Sequence, residues 1–252
     1  DNNKINIINV EFNFIKTFDK ITDKSNIYIG KCFDVALNIL KKHKCSGLIN
    51  GPISKKNFLK EKFLGITEYL AHKTNQKNKV AMLIYNKKLS VSPLTTHLPL
   101  KDVCKNLSKK KIVTHVRLIK DFYNSKLKKN PKIAITGLNP HCESNYRSSE
   151  ENSIIKPAIK YLLKKKIKVN GPFPADTIFM KEKSKKYDVI IGMYHDQVLT
   201  PIKTLFGFNA VNITLGLPFI RLSPDHGPNS TMLGKNLSDP KSLMKALEFL
   251  DK

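Results

Sequence analysis

The sequence predicts an α/β fold built on a mostly parallel sheet. Short strand-like apolar runs recur through the 252 residues, and between them lie segments with the apolar spacing of amphipathic helices. No break in composition marks off an independent second domain, and neither internal repeats nor low-complexity tracts interrupt the alternation.

Taken in order, the runs are Ile5–Val10, Gly47–Asn50, Val80–Tyr85, Leu89–Leu94, Lys132–Thr136, Val189–Met193, Ala210–Leu215 and Phe219–Leu222. In Lys31–Lys44 the positions Phe33, Ala36, Leu37 and Leu40 fall at i, i+3, i+4 and i+7, which makes one buried helical stripe. Ser149–Lys165 repeats the pattern with Ile154, Ile155, Ala158, Ile159, Leu162 and Leu163, and Ser148 and Glu151 stand at capping-box spacing before it. Pro240 suits the opening of a last helix, Lys241–Leu250. Prolines 131, 172, 174, 201, 218 and 224 are expected in loops.

The formal charge is +25, from 45 Lys+Arg against 20 Asp+Glu. Such an excess raises the question of a nucleic-acid partner. Its make-up argues against one, because only Arg117, Arg147 and Arg221 are arginine. Lys, Asn and Ile together exceed a third of the chain, a bias that A/T-rich codons explain without any partner. The lysines sit in short clusters at the ends of helix-like segments, where cations favour the helix dipole and face solvent. No nucleic acid is expected, and no membrane either: Thr204–Ile220, the longest uncharged stretch, is broken by glycines, asparagines and a proline, whereas a span needs about 20 apolar residues. Asp1–Glu11 lacks the basic start and apolar block of a signal peptide. Cys32, Cys45, Cys104 and Cys142 form no C-x-x-C pair, which suits free thiols in a reducing, cytoplasmic setting.

Three of the seven histidines share a position type. His97, His141 and His195 each follow the end of a predicted strand, where open α/β sheets bind ligands. Taken singly, each suits a hydrogen-bonded loop residue. Together they suit a divalent metal that polarises a substrate oxygen. A second set, Lys203, Asn212 and Arg221, offers a point charge, an amide and a bidentate guanidinium for a phosphate or carboxylate, although a rim cation is the plainer reading of Arg221. The sequence contains no G-x-G-x-x-G, P-loop, G-x-S-x-G or H-E-x-x-H motif.

Several blocks in order resemble the 4-hydroxythreonine-4-phosphate dehydrogenase family of pyridoxal phosphate (vitamin B6) synthesis. They are Asn50-Gly51-Pro52-Ile53-Ser54-Lys55, Thr95-Thr96-His97-Leu98-Pro99-Leu100, Gly137-Leu138-Asn139-Pro140-His141, Asn170–Thr177, Met193-Tyr194-His195-Asp196-Gln197, Val211–Arg221 and Pro224-Asp225-His226-Gly227. The resemblance implies a three-layer α/β/α fold of two lobes like isocitrate and isopropylmalate dehydrogenases, with one lobe about 1–57 plus 212–252 and the other about 58–211. It implies an NAD-dependent (or NADP-dependent) oxidation, assisted by zinc, magnesium or cobalt, of 4-phosphooxy-L-threonine to a β-keto acid that decarboxylates to 3-amino-2-oxopropyl phosphate. It further implies His97, His141 and His195 as metal ligands, Thr67, Lys203, Asn212 and Arg221 as substrate-binding residues, and a homodimer with a shared active site.

The chain departs from the family at three places. Ile66 stands where the family carries a substrate-contacting histidine, in Gly65-Ile66-Thr67-Glu68. The opening strand and its Gly-Asp-Pro-Ala-Gly-Ile-Gly-Pro-Glu loop have no counterpart before Asp1. The run Pro228–Gly234 differs from the family's Thr-Ala-x-Asp-Ile-Ala-Gly. A sister dehydrogenase of 4-phosphoerythronate or 4-phosphothreonate, or a non-catalytic fragment of the fold, are the alternatives. No general base is assigned; Lys55, Asp176 and Asp225 are the candidates within matching blocks.

Overall fold

The computed structural model describes residues 4–16, 21–43, 45–60, 62–77, 79–142, 148–207, 209–224, 227–228 and 230–251. Its strands are β1 Leu48–Ile49, β2 Ala81–Tyr85, β3 Ser90–Pro93, β4 Ile133–Thr136, β5 Val169–Phe173, β6 Val189–Gly192, β7 Val211–Leu215 and β8 Arg221–Pro224. They form a single sheet in the order β1-β8-β7-β2-β3-β6-β4-β5. The neighbours β3, β6, β4 and β5 run parallel, as do β1 and β8. Antiparallel pairing of β2 with β3 and β7, and of β7 with β8, joins the two parallel parts.

The helices are α1 Asp23–Lys42, α2 Lys55–Leu59, α3 Ile66–Lys73, α4 Leu100–Val103, α5 Lys109–Lys126, α6 Lys156–Lys164, α7 Ala175–Ile178, α8 Lys181–Ser184, α9 His195–Phe206 and α10 Lys241–Leu250. They make three layers with the sheet. Leu83, Ile135, Ile191 and Ile213 fill one face against Ile112, Val116 and Ile119 of α5, Ile159 and Leu162 of α6, and Ala246 of α10. Met82, Ile84, Val91 and Ile190 fill the other against Val198, Leu199 and Ile202 of α9. Each fully buried Leu or Ile contributes about 1.5–3 kcal/mol. A third cluster joins Phe33 of α1, Leu59 of α2, and Ile66 and Leu70 of α3. No helix among the described residues is long and apolar enough to cross a membrane.

One polar group is built into the core. His115 of α5 is 5% exposed, and its Nε2 lies 2.6 Å from Ser92 Oγ of β3. The Ser92 hydroxyl donates to the Met82 carbonyl oxygen, so its oxygen is left to accept, and His115 Nε2 carries the donated proton. Burial, with a smaller effect from the Lys111 charge, pushes the His115 pKa down to about 3.

Seven of the eight predicted runs lie at strands, with ends moved by a residue or two. Ile5–Val10 does not: it is irregular, with Ile5 and Ile7 92% and 85% exposed. Apolar character alone does not make a strand; a run becomes one only where a neighbouring strand pairs with it. The strand β5 went unpredicted because Gly171 and Pro172 read as loop; the run stands at the sheet edge, where proline is tolerated. Pro201 lies inside α9 rather than in a loop, and Pro172 and Pro224 lie in β5 and β8. The expected capping box of Ser148 and Glu151 does not form. Ser149 Oγ instead accepts from the Asn152 N–H at 3.4 Å, a turn of π-helix spans Glu151–Ile155, and Glu151 points inward. All four thiols are free.

Candidate active site

The parallel strands β3, β6 and β4 are neighbours, so their carboxyl ends share one rim. The chain leaving them carries His97, His195 and His141 in turn. The rings of His97 and His195 come together with centroids 5.9 Å apart. His195 Nδ1 lies 2.6 Å from Asp196 Oδ1, which fixes the ring and turns Nε2 away from the carboxylate. His141, exposed and in left-handed backbone (φ 57°), follows β4 in a short 3-10 turn.

Two buried polar side chains hold these loops. Gln197 of α9 donates from Nε2 to the Gly137 carbonyl at 2.8 Å, and its Oε1 accepts from Thr136 Oγ1 at 2.8 Å and from the Met193 N–H at 2.7 Å. It thereby ties the end of β4 to the end of β6. Glu151, 1% exposed, accepts the N–H groups of Leu138 and Asn139 at 2.8 and 2.9 Å on Oε1, and the Asn139 amide at 2.9 Å on Oε2. Burial alone would raise its carboxyl pKa, but the bonds from Asn139 and Leu138 bring it below the usual carboxylate value. Gly137 is needed beneath this clamp, because a Cβ there would lie 2.6 Å from Cys142 Sγ and 3.1 Å from Glu151 Oε1.

A second polar region follows from the alternation of β7. Val211, Ile213 and Leu215 enter the core, so Asn212 and Thr214 face the other way. The antiparallel register sets Arg221 opposite Thr214 and Ser223 opposite Asn212, on that same face. Thr67 of α3 closes over them, with its Oγ1 3.3 Å from Thr214 Oγ1. Arg221 is only 3% exposed. Its Nε donates to Asn50 Oδ1 at 2.7 Å and its Nη1 to Thr214 Oγ1 at 3.0 Å, and no carboxylate pairs with it among the described residues. Burial lowers its pKa to about 10, against the attraction of the nearby Glu68 charge. A buried guanidinium whose described hydrogen bonds all go to neutral oxygens has donors left for an anion. Asn212 Oδ1 is buried and accepts no hydrogen bond.

The two regions meet at α3. Glu68, one residue beyond Thr67, has Oε2 buried without a hydrogen-bond partner, while Thr96 Oγ1 reaches Oε1 at 3.5 Å. A Cβ on Gly65 would lie 2.9 Å from Glu68 Oε2 and 3.2 Å from His97 Cε1, so the carboxylate and the imidazole border one space above this glycine.

The sequence-predicted residues therefore fall as follows. Thr67, Arg221 and Asn212 share the face of β7 and β8, and His97 and His195 are neighbours on the rim. Lys203 lies on α9, half-buried, two turns beyond His195 on the same side of the sheet as Asn212. His141 stands on the neighbouring strand end. Asp176, exposed, opens α7. The Lys55 side chain and Asp225 lie outside the described residues. Ile66 is 6% exposed and packs with Phe33, Leu59 and Leu70. Glu68, Thr214, Asn50, Gln197 and Glu151 were missed as functional residues. The step of two from Asn212 to Thr214 along a strand was the available signal for Thr214, and direct adjacency to Thr67 for Glu68.

Imidazole is a fitting donor for a divalent ion, and the His97–His195 spacing is within what two nitrogens at about 2.0–2.1 Å from a shared ion allow. A third donor does not close on them within one chain: among the described residues no three His, Cys, Asp or Glu side chains gather to hold a metal. A separate cavity of about 420 Å³ opens between the end of α1, α5 and the turn from β7 to β8, and holds none of the three histidines.

Comparison with known proteins places this chain in a family. A 4-hydroxythreonine-4-phosphate dehydrogenase of Sulfurihydrogenibium sp. (strain YO3AOP1) is 42% identical over 249 residues, 97% of this chain and 75% of that protein. The crystal structure of 4-hydroxythreonine-4-phosphate dehydrogenase from Klebsiella pneumoniae superposes with a TM-score of 0.79 at 31% identity, over 92% of this chain and 72% of that one. Isocitrate dehydrogenase from Methylococcus capsulatus shares the fold alone, with a TM-score of 0.53 at 10% identity over 86% of this chain and 70% of that one. The chain spans 62% to 75% of the length of the first curated relatives it matches. The family profile described as pyridoxal phosphate biosynthetic protein PdxA matches residues 1–250, and the chain belongs to that family.

Proposed function

We propose that this chain is an NAD-dependent dehydrogenase that oxidises 4-phosphooxy-L-threonine in pyridoxine 5'-phosphate synthesis. One observation carries the reading: Arg221, a buried guanidinium with no carboxylate hydrogen-bonded to it among the described residues, faces the side of the sheet covered by α9, which opens with His195, whose ring neighbours that of His97. The guanidinium suits the phosphate and the imidazoles suit the carbon that is oxidised.

Arg221 binds the phosphate through charge-assisted bonds, and Lys203 adds a second cation. Asn212 and Thr67 orient the ligand by hydrogen bonding over the floor made by Thr214. His97, His195 and His141 would hold the divalent ion, with the third donor completed in a homodimer that shares its active sites. Bound there, zinc, magnesium or cobalt would lower the pKa of the substrate hydroxyl. NAD or NADP, when bound, would supply the hydride acceptor for the carbon bearing that hydroxyl, the hydroxyl proton passing to solvent or to a base among Lys55, Asp176 and Asp225, and the resulting β-keto acid would lose carbon dioxide, the ketone taking up the electron pair. The product is 3-amino-2-oxopropyl phosphate.

The test is NAD reduction by the purified chain with 4-phosphooxy-L-threonine, beside metal content and turnover of His195→Ala. Loss of both in the variant is expected; unchanged metal content and turnover would reject the ligand assignment. A second reading, oxidation of 4-phosphoerythronate or 4-phosphothreonate, draws support from Ile66, which supplies no imidazole to the pocket. Kinetics on the three substrates side by side decide between them.

A further inference from the structure

The hydrogen-bond ladder between β4 and β6 stops short of the rim. Its last pair is Ile135 with Ile191, and Thr136 and Gly137 on one strand, Gly192 and Met193 on the other, continue past it. On the opposite side of β6 the main-chain pairing runs further. Pro93 is set against Gly192, the Leu94 N–H donates to the Gly192 carbonyl at 2.8 Å, and the Thr95 N–H and hydroxyl donate to the Met193 carbonyl at 3.2 and 2.7 Å. The segments that lead to His97 and His195 are therefore joined by backbone. Among the described residues, the segment that leads to His141 is joined to β6 through the Gln197 side chain instead.

That side chain stands in for the missing rung. Its Nε2 serves the Gly137 carbonyl and its Oε1 the Met193 N–H, so the task needs a donor and an acceptor on one group. A carboxamide carries both, a carboxylate only accepts, and hydrocarbon does neither. Gln197 is 8% exposed, which keeps water from replacing these bonds. Gly192 makes room for it, since a Cβ there would lie 3.1 Å from Gln197 Oε1 and 2.5 Å from Val198 Cγ1.

Building on the reading above, in which three histidines hold a divalent ion, we propose that Gln197 is a positioning residue that sets where the His141 segment stands relative to His97 and His195. Ion affinity then depends on Gln197 through His141, whereas the His97–His195 pair keeps its spacing without it.

The probes are Zn²⁺ and Co²⁺, titrated into the full chain by calorimetry, so the result does not depend on turnover. Gln197→Glu keeps the size and the acceptor but loses the donor to Gly137, and is expected to weaken both ions roughly 10- to 100-fold. In a His141→Ala background the same change is expected to cost less than about threefold, because the group it positions is gone. Tyr123→Phe controls for stability: it gives up a hydrogen bond to Ser90 at the end of β3 remote from the rim, and should lower the melting temperature while affinity holds. Unchanged affinity in Gln197→Glu, or an equal loss with and without His141, overturns the proposal. A loss of the same size in Tyr123→Phe overturns it too, by tracing the effect to stability. A wild-type chain that takes up neither ion sinks the metal reading and the proposal with it, whereas the other adverse results leave that reading standing.

Discussion

Acidification should weaken the fold through His115 by an amount that follows from its surroundings. Its pKa is about 3 in the folded chain, against an ordinary value of 6.5. Between these values the unfolded chain binds a proton that the folded chain refuses, so stability is full above the ordinary value and falls as pH drops below it. Each unit of difference is worth about 1.4 kcal/mol, which makes the expected loss from this one group about 2 kcal/mol between pH 7 and pH 5. The core leaves little room to escape the cost, because the ring is 5% exposed and Ser92 is already committed to the Met82 carbonyl. Urea unfolding at both pH values, on wild type and on His115→Gln, isolates the effect. The glutamine amide can still donate to Ser92 but does not titrate, and titrations elsewhere are common to both proteins. The wild-type loss should exceed that of the variant by about 2 kcal/mol. Equal losses would show that His115 is not held neutral by burial.

Gln197→Leu keeps the side-chain bulk but removes three buried hydrogen bonds between the ends of β4 and β6; a loss of about 3 kcal/mol in chemical denaturation is expected. Glu151→Gln should cost about 1.5–3 kcal/mol at neutral pH, since charge-assisted bonds to Leu138 and Asn139 are lost. Because the Glu151 pKa is lowered, its contribution is present above the usual carboxylate range and disappears as pH falls through the folded value, so the variant and wild type should converge in acid. Arg221→Gln should abolish the thermal stabilisation given by millimolar inorganic phosphate while the chain stays folded, and an unchanged shift would remove Arg221 from the anion site.

The rim of the site was legible in the sequence because strand ends are. Where a β-branched run stops and a histidine follows, the parallel sheet does the rest, and His97 and His195 meet across 98 positions. The polar floor was half legible: Asn212 and Arg221 read as a polar set with Lys203, but Thr214 looked like any strand threonine until β8 set Arg221 against it. Glu151 was misread because capping-box spacing is a local rule, and two N–H groups thirteen and twelve residues upstream outbid the local one. Ile5–Val10 is irregular for the opposite reason, since local strand character does not by itself supply the pairing that makes a strand.

The register of β7 carries more than packing. Its even-numbered members, Asn212 and Thr214, face the candidate site, and its odd-numbered members, Val211, Ile213 and Leu215, face the core. A slip by one position would put amides and hydroxyls among the leucines and hand the guanidinium a wall of hydrocarbon. Misfolded copies would therefore be inert as well as unstable, and a mutation that shifts this strand could never trade activity against robustness: it would forfeit the two together.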